Sequence, residues 1–199
     1  MPIVVNKEEK IKKLCEQAYT ELLQKGVDNF SLNKFVSSID ISKGQFYHYF
    51  STKEELIFEV MSQKSLEMIE IANIYIDKTE SLIDKLAMLF SIYVSDDNES
   101  ANFRKLMLDM FHIYMHSNDP HVKQYNRELY EWIDQKLKEI FDATAKKENF
   151  DIQTPILVKS ISATADGMYL RSLMVESYDL KNELTQYLIE IEKLIIRKK

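Results

Sequence analysis

Apolar residues recur along this chain at steps of three and four positions, which is the period of an α-helix with one buried face. Gly26 directly follows the first such stripe and is suited to ending that helix, because glycine adopts positive φ without strain. The whole chain lacks segments in which apolar and polar residues alternate, so the pattern predicts an all-α fold. The first stripe, within residues 7–25, comprises Ile11, Leu14, Cys15, Ala18, Tyr19, Leu22 and Leu23.

Two short helices are predicted after the first one. Ser31 is the expected N-cap of the earlier of the two, which ends near Ser38. Ser42 and Gln45 form a capping box that starts the later one, which runs to about Phe50. Only about three residues join them, so the pair is predicted to be a helix-turn-helix.

A long fourth helix and several further helices are predicted beyond this motif. Thr52 and Glu55 make a second capping box, which opens the fourth helix. Connections rich in Asp, Asn, Ser or Pro separate the later helical patterns. These patterns bring the total to about nine helices and cover residues 80–95, 100–116, 121–147, 154–177 and 180–197.

Composition narrows the class of protein. The chain has 199 residues, 45% of them hydrophobic, and a net charge of -6, which is typical of a folded globular protein. The three glycines are too scattered for a dinucleotide fingerprint or a P-loop. A single cysteine can form neither an internal disulfide nor a zinc cluster, and no segment has about 18 uninterrupted apolar residues. We therefore expect a cytoplasmic protein with no membrane contact.

The block from Phe30 to Leu56, FSLNKFVSSIDISKGQFYHYFSTKEEL, resembles the N-terminal DNA-binding domain of TetR/AcrR-family transcriptional regulators. The resemblance extends over about residues 7–60. That family usually has Gly in the turn where this chain has Asp40, which tolerates the left-handed conformation better than most residues. Short stretches of the C-terminal part, including residues 163–171, are also similar to choline-repressor-like members.

The resemblance implies a fold of about nine helices with two domains. A three-helix DNA reader would occupy residues 1–52, and a larger ligand-binding and dimerisation domain residues 53–199. The last two helices would form the dimer interface. The protein would then be a DNA-binding transcriptional regulator, expected to act as a repressor that a small-molecule inducer releases from a pseudo-palindromic operator. The alternative is a helical protein-interaction module without sequence-specific DNA binding.

Charge and side-chain chemistry favour the helix-turn-helix as the DNA contact. Residues 1–53 contain eight Lys and six acidic residues, a net of +2, whereas residues 54–199 carry a net of -8. Lysines suit phosphates, Gly44 allows close backbone approach, and the Gln45 amide suits an adenine edge or a phosphate. Phe46 and Phe50 are expected to pack inward. The candidate DNA-contacting residues are Ser31, Ser42, Lys43, Gly44, Gln45, Tyr47, His48 and Lys53, with Tyr47 and His48 assigned by family analogy.

The middle of the chain is rich in Met and aromatic residues, which adapt to ligands of varied shape. Most of them are expected to pack a helical core, and the rest to line a pocket. Rings such as Tyr114, Tyr130 or Trp132 beside Asp109 or Asp166 would suit a cationic inducer. A hydrophobic inducer is the alternative. The candidate ligand-binding residues are Phe90, Tyr93, Phe103, Met107, Met110, Phe111, Tyr114, Tyr130, Trp132, Met168 and Tyr169.

The sequence carries no catalytic signature, so we expect neither an enzyme nor a cofactor. Asp109, His112 and His116 share one helix face and are the best metal candidate, although a surface or core role is favoured for them. Without a His-Glu-x-x-His pattern, zinc hydrolysis is not expected. Cys15 lies on the apolar stripe of the first helix and is expected to be an inert core thiol.

One apolar stripe of the last two helices must bury against the chain's own core, and family analogy implies a second surface there for a partner copy. Small residues at Ser160, Ala163, Thr164 and Gly167 permit close helix approach. A continuous apolar stripe follows in the final helix and comprises Leu184, Tyr187, Leu188, Ile191, Leu194 and Ile195. We expect a two-fold homodimer whose last two helices form a four-helix bundle.

Overall fold

The computed structural model describes residues 7–116, 120–148 and 154–195, and within these ranges the chain is helical with no strand. The all-α prediction is confirmed. The described ranges hold ten helices, because the predicted helix over 80–95 is broken at the buried Phe90 (φ -99°, ψ 17°). The helices are α1 (Lys7–Asn29), α2 (Leu32–Ser38), α3 (Lys43–Tyr49), α4 (Lys53–Lys78), α5 (Leu82–Leu89), α6 (Ser91–Val94), α7 (Asn98–His116), α8 (Pro120–Glu148), α9 (Thr154–Met174) and α10 (Leu180–Ile195).

The chain divides into two compact units. The first comprises the chain up to Met68 together with Lys105–Asn126, and the second comprises Ile69–Arg104 together with the chain from Arg127 onward. Helices α4, α7 and α8 each contribute residues to both units. The first unit thus contains the helix-turn-helix and also segments of α7 and α8, while the domain boundary expected at residue 53 stays a prediction.

Phenylalanine rings hold the helix-turn-helix together. Phe35 of α2 meets Phe46 of α3 edge-on, with ring centroids 6.3 Å apart. Phe46 also contacts Phe50 at 5.7 Å, and Phe35 contacts Phe30 at 5.4 Å. All four rings are buried, so α2 and α3 share one aromatic core.

Gly26 ends the regular part of α1, as predicted. Its φ of 73° and ψ of 164° lie in a region that only glycine occupies readily, and the chain kinks there before the last residues of α1. Val27, immediately after the kink, is buried. The kink therefore turns the chain sharply at the entry to the helix-turn-helix.

The second unit has its own core, to which α10 contributes one face. Leu184, Leu188 and Ile191 of α10 are buried there, so the predicted stripe of this helix packs largely within its own chain. Glu192 fixes α10 to the start of α5 by accepting a hydrogen bond from the Ile83 amide at 3.0 Å. The other buried residues of this core are Ala72, Ile76, Leu82, Leu86, Leu89, Phe90, Leu137, Ile140, Phe141, Val158, Ile161 and Ala165.

Cys15 is a core residue of α1 and is 2% exposed. Burial, with smaller contributions from Glu59 and Glu16, raises the pKa of its thiol to about 12. The core position expected for this thiol is therefore confirmed.

None of the helices in the described part of the chain combines the length and the apolar character needed to cross a membrane.

Gly26→Ala should lower the free energy of unfolding by about 1–3 kcal/mol, because alanine is strained at this positive φ. Gly44→Ala is the matched control: nothing lies within 4 Å of a Cβ at Gly44, which lies in the first turn of α3. Urea denaturation should show the control unchanged or more stable by up to about 1 kcal/mol. Equal effects of the two substitutions would contradict the role given to the kink.

Candidate functional site

One face of α3 is exposed and carries four of the predicted DNA-contacting residues. Lys43, Gly44, Tyr47 and His48 are all solvent-exposed and are related by helical steps of three and four. The Lys43 ammonium lies 5.9 Å from the centre of the Tyr47 ring. This face therefore combines a cation, two hydrogen-bonding rings and a position without a side chain, which suits a phosphate backbone and base edges.

The opposite face of α3 is buried and fixes the orientation of the exposed one. Phe46 is fully buried and Phe50 is 3% exposed, so the inward packing predicted for them is confirmed. Ser42 caps the helix by accepting a hydrogen bond from the Gln45 amide at 3.2 Å. The side chain of Gln45 is half-buried at the edge of the exposed face.

Ser31 is the N-cap residue of α2, as predicted, but its hydroxyl makes no capping hydrogen bond. Its carbonyl accepts a bond from the Phe35 amide at 2.9 Å. The cap of α4 does form, because Thr52 accepts from the Glu55 amide at 3.0 Å. The return bond differs from a regular capping box: the Glu55 carboxylate accepts from the Ser51 amide at 2.7 Å. The Ser31 hydroxyl is thus not used by α2.

Lys53 has a partner inside the chain. Its ammonium donates to the Val27 carbonyl at 2.6 Å and lies 6.0 Å from the centre of the Phe30 ring. The contact ties the first turn of α4 to the end of α1. Sequence reasoning proposed Lys53 only as a DNA contact, which stays a prediction, and it missed this internal role.

The predicted ligand-binding residues are distributed over both units. Met107, Met110, Phe111 and Tyr114 belong to the first, and the others belong to the second. Exposure separates them further. Phe90, Phe103, Met110 and Tyr169 are buried, Phe111 and Tyr130 are exposed, and Tyr93, Met107, Tyr114, Trp132 and Met168 are half-buried.

Three predicted tyrosines of the second unit meet around Asp166 of α9. Tyr93 and Tyr130 donate their hydroxyl hydrogens to the two carboxylate oxygens, each at 2.7 Å. The Tyr93 ring contacts Tyr169 with centroids 5.4 Å apart, and the Tyr169 hydroxyl donates to the Arg104 carbonyl at 2.8 Å. The cluster thus combines a carboxylate with aromatic rings.

The surroundings of Tyr93 keep its hydroxyl protonated beside Asp166. Burial, and then the charge of Asp166, raises the pKa of the Tyr93 hydroxyl well above its usual range. Both groups that hold Asp166 are tyrosine hydroxyls, so its oxygens are satisfied without a salt bridge. A half-buried carboxylate bordered by rings, one of them exposed, is chemically suited to a small organic cation.

Asp109 lies in the first unit and accepts a hydrogen bond from the Val27 amide at 3.1 Å. His116 is exposed at the end of α7, and the side chain of His112 lies outside the described residues. Among the side chains that are described, no three His, Cys, Asp or Glu residues form a group that could hold a metal ion.

Surface grooves lie elsewhere in each unit. One of about 340 Å³ in the second unit and one of about 360 Å³ in the first contain none of the predicted site residues. The former is lined by Glu131, Asp134, Gln135, Lys138, Pro155, Val158 and Lys159, and the latter by Gln17, Thr20, Glu21, Gln24, Lys25, Phe35, Ser38 and Ile39.

Comparison with known proteins gives a family for the N-terminal segment and a fold for the whole chain. Residues 14–60 match the family described as bacterial regulatory proteins, tetR family. Among curated protein sequences, none matches this chain.

Several solved structures share the fold. A TetR transcription regulator from Haloarcula marismortui is 14% identical with a TM-score of 0.74, over 92% of this chain and 96% of that one. A putative transcriptional regulator from Saccharomonospora viridis, in complex with choline, is 14% identical with a TM-score of 0.73, over 92% and 95%. The regulator FadR from Bacillus subtilis, in complex with stearoyl-CoA, is 18% identical with a TM-score of 0.66, over 93% and 97%.

Proposed function

We propose that this chain, a member of the TetR family of transcriptional regulators by its residues 14–60, represses transcription as a homodimer and is released from its operator by a small molecule. The observation that carries the proposal is the exposed face of α3, where Lys43, Gly44, Tyr47 and His48 are presented on a buried aromatic base. A helix of this kind enters the major groove in helix-turn-helix proteins.

The two faces of α9 support the homodimer. Its inner face is buried through Val158, Ile161 and Ala165, whereas its outer face is also apolar. A helix that is apolar on both faces is normally covered on both. The outer residues recur at steps of three and four, and comprise Ile156, Ser160, Ala163, Gly167, Leu170, Leu173 and Met174, all exposed in the single chain.

A second copy of the chain is the occupant that fits this outer face. Ser160, Ala163 and Gly167 are small, so the backbones of two α9 helices could approach closely around a two-fold axis. Nothing lies within 4 Å of a Cβ built on Gly167, so its surroundings within the chain leave that space open. A dimer would place two readers on one duplex and would favour a pseudo-palindromic operator.

The Asp166 cluster supports an organic cation as the ligand. The carboxylate supplies the charge, and the rings of Tyr93, Tyr130 and Tyr169 supply polarisable faces beside it. Ammonium groups are recognised by this combination, whereas a fatty ligand gains nothing from a carboxylate. The structurally similar Saccharomonospora viridis regulator holds choline. A hydrophobic ligand is the alternative that the experiment below distinguishes.

Release from DNA follows by linkage. A ligand that binds better to the conformation with the wrong spacing of the two readers lowers operator affinity by its differential affinity for the two conformations. Helix α4 starts beside the reader and contributes to both units, so it is the element best placed to carry this coupling.

Purified protein should enrich a pseudo-palindrome from randomised duplex DNA, with an affinity that falls steeply with salt. Lys43→Ala should weaken binding to that site and reduce the magnitude of the salt slope by about 1, as expected for loss of a phosphate contact. Tyr47→Ala should also weaken binding. Lys12→Ala, which removes an exposed lysine of α1, is the control.

Operator affinities equal to wild type in both α3 variants would overturn the assignment of this face. A folded dimer that enriches no sequence would instead favour the protein-interaction alternative.

Gly167→Glu should raise the dimer dissociation constant by about 100-fold or more, because it places a bulky, unpaired charge in the proposed interface. Ala143→Glu introduces the same side chain at an exposed position near the end of α8 and should leave the dimer intact. Sedimentation analysis at several concentrations measures both. A Gly167→Glu protein that dimerises like wild type would show that the interface lies elsewhere.

Choline should raise the melting temperature, whereas its uncharged carbon analogue 3,3-dimethylbutan-1-ol should not, since binding to the native state stabilises it by mass action. Asp166→Asn should abolish the choline effect. Asp134→Asn is the control, because Asp134 is another half-buried acid of the second unit, bonded to the Ser162 hydroxyl. Stabilisation by stearate or by the neutral analogue, without an effect of choline, would favour the hydrophobic alternative.

A further inference from the structure

The backbone of Val27 is held by two charged side chains from distant parts of the sequence. The Asp109 carboxylate on α7 accepts a hydrogen bond from its N–H at 3.1 Å, and the Lys53 ammonium of α4 donates to its carbonyl at 2.6 Å. These contacts span 82 and 26 positions of the sequence. All of the residues involved belong to the first unit.

The kink at Gly26 makes the Asp109 contact necessary. Because the chain leaves helical geometry at φ 73°, the Val27 N–H is directed away from the carbonyls of the preceding turn. An amide in partly buried surroundings needs another acceptor. Asp109 supplies it, and one of its oxygens lies 3.7 Å from the position that a Cβ on Gly26 would occupy.

Val27 is close to the helix-turn-helix in both sequence and packing. The N-cap of α2 is four positions later, and Phe30 between them packs on Phe35, which in turn contacts Phe46 of α3. The Phe30 amide also donates to the Val27 carbonyl at 3.3 Å. The position of Val27 therefore influences how α2 and α3 are placed in space.

We propose that Asp109 is a positioning residue for DNA binding, which orients the helix-turn-helix by fixing the kinked end of α1 to α7. The inference deepens the proposed function and rests on it. Asp109 acts through Val27 rather than through contact with DNA. Through this bond, the orientation of the helix-turn-helix depends on the position of α7. Lys53 of α4 holds the same residue, Val27, through its carbonyl.

Amide hydrogen exchange of Val27, followed by NMR, tests the contact itself. Asp109→Ala should accelerate exchange at this one amide by about tenfold or more, because the bond that protects it is gone. Asp28→Ala is the matched control: it removes a carboxylate next to Val27 in sequence that is exposed. This control should leave Val27 exchange unchanged.

Operator affinity of the same two variants tests the positioning role, and the sign of the change is decisive. Loss of a negative charge favours binding to a polyanion, so electrostatics alone would leave both variants at or above wild-type affinity. If Asp109 positions the reader, Asp109→Ala should instead bind the selected operator about tenfold more weakly, while Asp28→Ala should not. The salt slope should be unchanged in Asp109→Ala, since no phosphate contact is lost.

Asp109→Asn provides a second variant that keeps the size of the side chain and an acceptor oxygen. It should recover part of the lost affinity and part of the Val27 protection, because a neutral acceptor is weaker than a charged one. If Asp109→Ala does not fold, Asp109→Asn against Asp28→Asn gives the same comparison with smaller effects.

Operator affinity in the Asp109 variants equal to that of the Asp28 variants would overturn the inference while leaving the proposed function standing. Unchanged exchange at Val27 would overturn it as well. A wild-type protein that selects no DNA would overturn the proposed function, and this inference with it.

Discussion

The contact between Phe35 and Phe46 is the interaction on which the reader depends. Helix α3 has only seven residues, too few to be stable by its own hydrogen bonds, so tertiary packing must hold it. A fully buried Phe46 fixes the rotation of α3 about its axis. Because Phe46 faces the core, Lys43, Tyr47 and His48 face solvent.

Carboxylates bonded to groups on other helices order both units. Asp109 holds a backbone amide, Asp166 holds two tyrosine hydroxyls, and Glu192 holds the amide of Ile83. Packed helices with few polar contacts can slide by small amounts at low cost, whereas a directional hydrogen bond favours one register. Asp109 binds the amide of Val27, which follows the kink, and Glu192 binds the amide of Ile83 in the first turn of α5. Both carboxylates therefore satisfy backbone N–H groups that have no partner within their own helix.

Local features of this fold could be predicted from the sequence, and contacts between distant helices could not. The break in α1 at Gly26, the caps at Ser42 and Thr52, and the inward packing of Phe46 depend on a few adjacent residues, so their pattern is visible in the chain. The break at Phe90 was missed, because the apolar period continues through it. The partners of Lys53 and Asp109 depend on how whole helices pack, which no spacing encodes.

The candidate ligand site shows the same division. Residue type suggested Tyr114, Tyr130 or Trp132 beside Asp109 or Asp166. Of these rings, Tyr130 meets Asp166 in the structure, together with Tyr93 and Tyr169. Met107, Met110, Phe111 and Tyr114 were grouped with them by residue type alone, yet they belong to the other unit. Residue type can therefore suggest a set of candidate residues, but which of them are in contact depends on how the helices pack.

The burial of Cys15 has a practical consequence for studying the assembly. Burial raises the pKa of the thiol to about 12, which disfavours the reactive thiolate at pH 7, and the core shields the sulfur from reagents. It is also the only cysteine of the chain. Cysteines introduced at exposed positions can therefore carry spectroscopic labels without removal of the native thiol, which would make the separation of the two readers in the proposed dimer measurable in an otherwise unaltered protein.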